Sequence, residues 1–397
     1  MRVLLVNDYG TPGAGAERVA CNLRDGLAAR GHRVRVFASR AALSPDASFA
    51  DRACFGTTGR LQTLTSTLNV SAAVALAREV RAFRPDVVHV LMYRWQLSPA
   101  ILPVLRGVPS VYYPMIYKAV CPTGSKLLPG GAPCGEPAGR ACLRAGCVTL
   151  IGAAPLALQH ALARAGHGVF DRVVAVSQAV RERLEADGLR VDSVVWPGTA
   201  VRPAREAMAD RPTVSFAGRL VREKGVDVLL RAFAAVRTRV PDARLLLAGA
   251  GPDEKSLRAL AASLGLGAAV AWLGTIPWDA LGEALAPAWV HAVPSVWAEP
   301  FGLTATEAMM RGTAVVASRT GGLAESVDDG VTGLAVAPGD VPALAGALGA
   351  LLADRALAEA MGAAGRARAL ALFTTDRCAD RFEALYHEIA VSSDLSR

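Results

Sequence analysis

The sequence predicts an α/β protein of two doubly wound, parallel-sheet domains, and three observations carry that prediction. The chain has 397 residues, longer than one hydrophobic core usually serves. Short apolar or β-branched runs alternate with longer Ala/Leu/Arg segments of helical period, the rhythm of βαβ units. That rhythm runs twice, with a proline-rich interruption between. A hydrophobic content of 52%, with no polar low-complexity tract, excludes a disordered chain.

In the first half the expected strands are residues 3–6, 34–38, 87–91, 110–113, 173–176 and 193–196. The second half offers 213–217, 244–248, 269–273, 289–293, 314–318 and 333–336. Pro197, Gly198, Pro203, Asp210 and Pro212 mark the linker. The tail, residues 373–390, reads as a helix with Phe382, Leu385 and Tyr386 on one face. In a fold of this class the last helix crosses back, so the domains are residues 1–198 with 375–397, and 199–374. Ligands bind beyond the carboxyl ends of such strands. The cleft between two facing sheets is therefore the expected site.

The net charge of +8 is uneven: residues 1–200 hold 23 Lys+Arg against 13 Asp+Glu. A basic first half suits an anionic acceptor or an anionic membrane surface, although scattered arginines also simply solubilise. No recognition helix, zinc finger or RNA-binding signature accompanies the charge, which argues against nucleic acid. The opening apolar run is too short for a signal peptide and reads as a strand. Residues 148–163 are broken by Gly152 and Pro155 and fall short of a membrane span. The expected place is the cytoplasm, with peripheral contact at the inner membrane face as an option.

The chemistry concentrates in the second half. After its first strand comes Gly218-Arg219-Leu220-Val221-Arg222-Glu223-Lys224-Gly225, leading into a helix near Val226. Only four lysines occur in the chain, and Lys224 stands at this turn. A guanidinium and an ammonium beside free backbone N–H groups make a pyrophosphate clamp. Two solvent-facing charges would leave the same trace. Further on, Glu299-Pro300-Phe301-Gly302-Leu303 precedes a helix expected near Thr304, whose free N–H groups can receive phosphate oxygens. Thr304-x-x-Glu307 reads as a capping box, and Glu307 can equally accept two hydrogen bonds from a ribose diol. Glu299 has no such capping role, which favours a functional one.

These residues resemble glycosyltransferase family 4, whose signature is two glutamates separated by seven residues. Gly249-Ala250-Gly251-Pro252, Leu273-Gly274-Thr275-Ile276 and Gly321-Gly322-Leu323-Ala324-Glu325 match its other segments in order, through about residues 213–340. The resemblance implies the GT-B fold and a cytoplasmic, nucleotide-sugar-dependent hexosyltransferase that retains anomeric configuration. It implies that Arg219 and Lys224 hold the donor diphosphate. Gly302 and Leu303 would offer it backbone N–H groups, and the backbone at Ile276 would face the base. Glu307 would take the ribose hydroxyls and Glu299 would lie against the donor sugar as the catalytic residue. No Asp-x-Asp occurs, so no catalytic metal is expected.

In the first half, Gly10-Thr11-Pro12-Gly13-Ala14-Gly15-Ala16-Glu17 resembles the family's glycine-rich loop, with Gly15 near the donor or acceptor. The same glycines could suggest a dinucleotide fingerprint, but Arg18 stands at its third glycine and no acid ends the second strand. Where the family ends a strand with histidine, this chain has Met115, and His89 is the nearest substitute. That departure keeps two rivals open: a sugar-nucleotide-binding protein without transfer, and a GT-B epimerase. Cys121, Cys134, Cys142 and Cys147 lie in a Gly/Pro-rich segment and are candidates for structural zinc, though they lack a Cys-x-x-Cys knuckle. Free thiols are the alternative, with disulfides disfavoured in a reducing compartment. The partners expected are a nucleoside-diphosphate sugar and a hydroxyl acceptor, either a glycan, a lipid-linked or a small molecule.

Overall fold

A computed structural model describes residues 1–11, 15–42 and 48–395. The chain divides into two compact units, one of residues 1–130, 134–198 and 375–397, the other of 131–133 and 199–374. The first carries β1 (Arg2–Tyr9), β2 (Arg33–Ser39), β3 (Arg52–Cys54), β4 (Val87–Val90), β5 (Ser110–Tyr112), β6 (Arg172–Ala175) and β7 (Ser193–Val194). They form one sheet in the order β3-β2-β1-β4-β5-β6-β7. The second carries β8 (Thr213–Ala217), β9 (Arg244–Ala248), β10 (Val270–Gly274), β11 (Val290–Val293), β12 (Ala314–Ser318) and β13 (Gly333–Val336), in the order β10-β9-β8-β11-β12-β13.

Every ladder is parallel. Both orders therefore reverse direction once, between β1 and β4 and between β8 and β11. A crevice opens at the carboxyl end of such a switch point. The strands are buried on both faces by helices, so they read as continuous apolar runs. In the second unit Val214, Phe216, Leu245, Leu247, Val290, Ala292 and Val316 meet Leu229, Phe233, Leu348 and Leu351 of the covering helices.

Two expectations fail locally. The first sheet has seven strands, not six, because Arg52-Ala53-Cys54 pairs with β2 as a three-residue edge. Residues 148–163 are not broken: Leu150–Gly166 is one helix with Pro155 inside it. Pro155 lies only in its second turn, where few intrahelical bonds are lost. The final helix, Thr375–Leu395, buries Cys378, Ala379, Phe382, Tyr386 and Ile389, a stripe at three- and four-residue spacing.

His89 on β4 and His291 on β11 are buried within the sheets. Burial pushes their imidazoles down to about 3 and about 4. The folded values lie below the unfolded one, so this contribution is complete above pH ~6.5 and is lost as acid approaches the folded values. At pH 5 the loss is roughly 2 kcal/mol per imidazole. Urea unfolding at pH 7.5 and pH 5 should show a clear fall in midpoint; equal midpoints would contradict it.

Candidate active site

The strongest constellation lies at the carboxyl ends of β8 and β11. After β8 the chain makes a single tight turn, Arg222–Lys224, closed by Gly225 at φ 65°. A Cβ on Gly225 would lie 2.0 Å from the Pro294 carbonyl oxygen, so only glycine lets the loops after β8 and β11 touch. The Val296 N–H donates to the Glu223 carbonyl at 3.0 Å and secures that contact.

The approach carries Lys224 to Glu299, with Nζ 2.6 Å from Oε1. Ser295 Oγ donates to the same oxygen at 2.6 Å. From the β12 side, the Gly322 N–H donates to the Glu299 carbonyl at 2.8 Å. Glu299 is only 5% exposed. Burial alone would raise its carboxyl, but the Lys224 charge and the Lys224 and Ser295 hydrogen bonds outweigh it. The net pKa falls below the usual carboxylate range. Glu299 is therefore an ionised, immobilised carboxylate.

Gly302, at φ 93°, caps the helix Leu303–Met310 without a side-chain hydrogen bond. This corrects the capping-box expectation. The helix begins one residue before Thr304, so Glu307 lies beyond its first turn and its carboxylate does not serve the cap. Instead Glu307 Oε1 accepts from Trp278 Nε1 at 3.4 Å. A cavity of about 610 Å³, including space open to solvent, adjoins it and is lined by Trp278, Leu281, His291 and Arg311. The Ala305 N–H already donates to the Gly302 carbonyl at 3.0 Å, so the N–H groups at Leu303 and Thr304 are the ones without an acceptor one turn back. Ile276 is half-buried in the loop between β10 and the helix Trp278–Leu285. Arg219 is mostly exposed and pairs with Glu223 at 3.2 Å. Lys224 and Glu299 are thus brought into contact, while Arg219 turns to a neighbour on its own loop.

In the first unit Gly15 opens the helix Gly15–Ala29; Pro12, Gly13 and Ala14 of the same motif lie outside the described residues. Met115 is buried and lines a pocket with Asp8, Arg94, Trp95 and Lys118 at the ends of β4 and β5. His89 does not. Its Nδ1 lies 2.6 Å from the Tyr386 hydroxyl, and its ring packs on Phe382 at 4.5 Å between centroids. The suggestion that His89 replaces a site histidine is corrected by this core position, behind the strand ends.

Comparison with known proteins bears on both units. Residues 14–198 match the model for a glycosyl transferase 4-like domain, and residues 200–368 match that for glycosyl transferases group 1. The chain belongs to the glycosyl transferases group 1 family. A GDP-mannose-dependent alpha-(1-6)-phosphatidylinositol monomannoside mannosyltransferase of Mycolicibacterium smegmatis is 42% identical over 172 residues, 42% of this chain and 45% of that one. A D-inositol 3-phosphate glycosyltransferase of Nocardia farcinica is 40% identical over 215 residues, 48% and 47% of the two chains. The chain spans about half the length of these curated relatives. Sucrose-phosphate synthase from Thermosynechococcus elongatus superposes with a TM-score of 0.75 at 24% identity, covering 99% of this chain and 100% of that one. Anabaena HepE, solved with UDP and glucose, gives 0.69 at 20%, covering 97% and 99%. These two likenesses show the GT-B fold.

Among the described residues no three His, Cys, Asp or Glu side chains are placed to hold a metal ion. Cys121 Sγ instead meets Thr123 Oγ1 at 3.2 Å, and Cys134 Sγ faces the Glu136 carbonyl at 3.8 Å. The thiols are near enough that burial and then Cys142, Cys134 and Cys121 raise the Cys147 thiol. Ser295, Trp278, Arg94 and Lys118 were missed by sequence reasoning. The scarcity of lysine was the available signal for Lys118, as it was for Lys224.

Proposed function

We propose that this protein is a retaining glycosyltransferase that moves a sugar from a nucleoside diphosphate to a hydroxyl acceptor. The observation that carries the reading is the contact of half-buried Lys224 with buried Glu299 at the switch point of the second sheet. In the proposed reaction the bond from the anomeric carbon to the diphosphate oxygen breaks, and its electron pair leaves with the diphosphate. The acceptor oxygen bonds to the same face, and its proton passes to the departing phosphate. Charge grows on the diphosphate, so fixed cations and helix N–H groups act most strongly in the transition state. Lys224 and the N–H groups at Gly302 and Leu303 supply them, and Arg219 joins by leaving Glu223. Glu307 takes the ribose, and the cavity beside Trp278 receives the base. Glu299 lies against the sugar. No step asks for a metal.

Met115 supports this reading of the acceptor side too. A thioether cannot accept a proton, so the base must be elsewhere, and the leaving phosphate supplies it. The relatives differ in the sugar and acceptor their names state, so neither is carried over. The test is the anomeric configuration of the product by proton NMR, from UDP-, GDP- or ADP-sugar donors. Retention is expected; inversion, or donor rearrangement without an acceptor, would overturn the reading.

A peripheral membrane location is also proposed. Among the described residues no single helix is long and apolar enough to cross a membrane. The helix Leu150–Gly166, however, exposes Leu150, Ile151, Leu158 and Leu162 while burying Gln159. Exposed Arg140 and Arg144 precede it in sequence, and exposed Arg164 lies in its last turn. An outward apolar face beside cations suits an anionic bilayer surface. Ile151→Glu with Leu158→Glu should reduce co-sedimentation with phosphatidylglycerol vesicles several-fold; undiminished binding would count against this location.

A further inference from the structure

The pocket at the carboxyl ends of β4 and β5 carries two buried cations, and among the described residues neither is in ion-pair contact with a carboxylate. It is partly open to solvent, and its polar lining includes Asp8, Arg94 and Lys118. Arg94 is 4% exposed and Lys118 5%. Taking charges this far from water is unfavourable unless they are paired or serve a ligand. The first unit pairs its other buried lysine: Lys126 Nζ lies 2.9 Å from Asp187. Arg94 and Lys118 make no such ion pair among the described residues.

Their existing bonds are to neutral groups. Arg94 donates from one terminal nitrogen to the Ala119 carbonyl at 2.7 Å, and its other terminal nitrogen lies 3.4 Å from His160 Nδ1. Its Nε is buried with no hydrogen-bond partner. Lys118 donates to the Pro122 carbonyl and sits 3.8 Å above the Trp95 ring. The one nearby carboxylate, Asp8, is already occupied. It accepts the backbone N–H groups of Trp95 at 2.9 Å, Gln96 at 2.7 Å and Leu97 at 3.0 Å. Burial, followed by repulsion from Arg94, holds the Lys118 ammonium down to about 8.

A purely structural role accounts for the bonds to Ala119 and Pro122, which tie loops together. It does not account for two like charges in one small pocket, nor for the unused Nε. We propose that this pocket receives a phosphate group of the acceptor, with Lys118 and Arg94 as its ligands. Two cations face the single carboxylate of Asp8 here, and a phosphate brings the further negative charge and enough oxygens for both cations. Met115, on the same wall, limits what is attached to it. That the phosphate belongs to an acceptor rests on the transferase reading; that the pocket takes phosphate does not.

The experiment titrates the intact protein with inorganic phosphate by calorimetry at constant ionic strength, for wild type, Lys118→Met and Lys118→Arg. Wild type should bind one equivalent, Lys118→Met at least tenfold more weakly, and Lys118→Arg with much of the affinity restored. No binding to wild type, or equal binding to Lys118→Met, overturns the proposal. Should Lys118→Met fail to fold, Lys118→Arg and the wild-type titration still decide it.

A second stage, with the matching donor, compares sugar phosphates with the same sugars lacking phosphate. It also compares phosphatidylinositol vesicles with phosphatidylcholine vesicles. Preference for the sugar phosphate identifies a soluble acceptor, and preference for the inositol vesicle identifies a lipid headgroup. Equal use of phosphorylated and unphosphorylated acceptors overturns the acceptor assignment. If wild type binds phosphate but no nucleotide sugar, the transferase reading falls while the pocket stands.

Discussion

Lys224→Ala should weaken donor binding and transfer together, by roughly 10- to 150-fold. A charge-assisted hydrogen bond of this kind is worth about 1.5–3 kcal/mol, and each ~1.4 kcal/mol is tenfold. In the proposed reaction the ammonium touches the diphosphate both before and during departure, so affinity and rate fall together. The structure adds a second consequence. Lys224 is the countercharge of Glu299, whose side chain is nearly inaccessible. Removing it strands a buried carboxylate, which costs about 3 kcal/mol when one partner of such a pair is lost.

The sign of the pH effect follows from Glu299. Its folded pKa lies below the usual range, so the pair stabilises above the unfolded pKa and its contribution is lost as pH falls through the folded value. The stability gap between wild type and Lys224→Ala should therefore be widest near neutrality and close in acid. A gap that widens in acid would show that Glu299 is not held by this lysine.

Glu299→Gln should separate chemistry from binding. The amide keeps the size of the side chain and can still accept from Ser295, so the second unit should stay folded. What disappears is the negative charge beside the sugar. A preorganised charge aimed at the reacting centre contributes on the order of 10²–10³ in rate. Transfer and acceptor-independent donor hydrolysis should both fall by about that factor, with donor affinity changed only a few-fold. Because Lys224 and Glu299 touch, the double variant should be less impaired than the product of the two single effects. Wild-type rates for Glu299→Gln, measured by release of the nucleoside diphosphate, would remove Glu299 from the chemistry.

Much of this was legible because the strands and their turns are written in local chemistry. The apolar runs place β8, β11 and β12, and glycines after β8 and β12 stand where only glycine permits contact, as Gly225 and Gly321 show. The sequence could place Lys224 and Glu299 on neighbouring loops, but not foresee their contact. Three features were hidden. The edge strand Arg52–Cys54 has no apolar run because one side of an edge faces solvent. The helix start at Leu303 depends on the left-handed backbone of Gly302, which overrode the better-known capping pattern at Thr304. The burial of Arg94 and Lys118 is a product of tertiary packing. A charged residue reads as surface until the loops that cover it are known.

The central claim is that the constellation around Lys224 binds a nucleoside-diphosphate sugar. A ligand that binds only the folded state raises the melting temperature by mass action. The direct measurement is thus the thermal shift of wild type and Lys224→Ala with UDP-, GDP- and ADP-sugars at matched excess. The account predicts a shift with one base in wild type, and a markedly smaller shift in Lys224→Ala. A wild type unmoved by every nucleotide sugar, or a variant that shifts as fully as wild type, would contradict it.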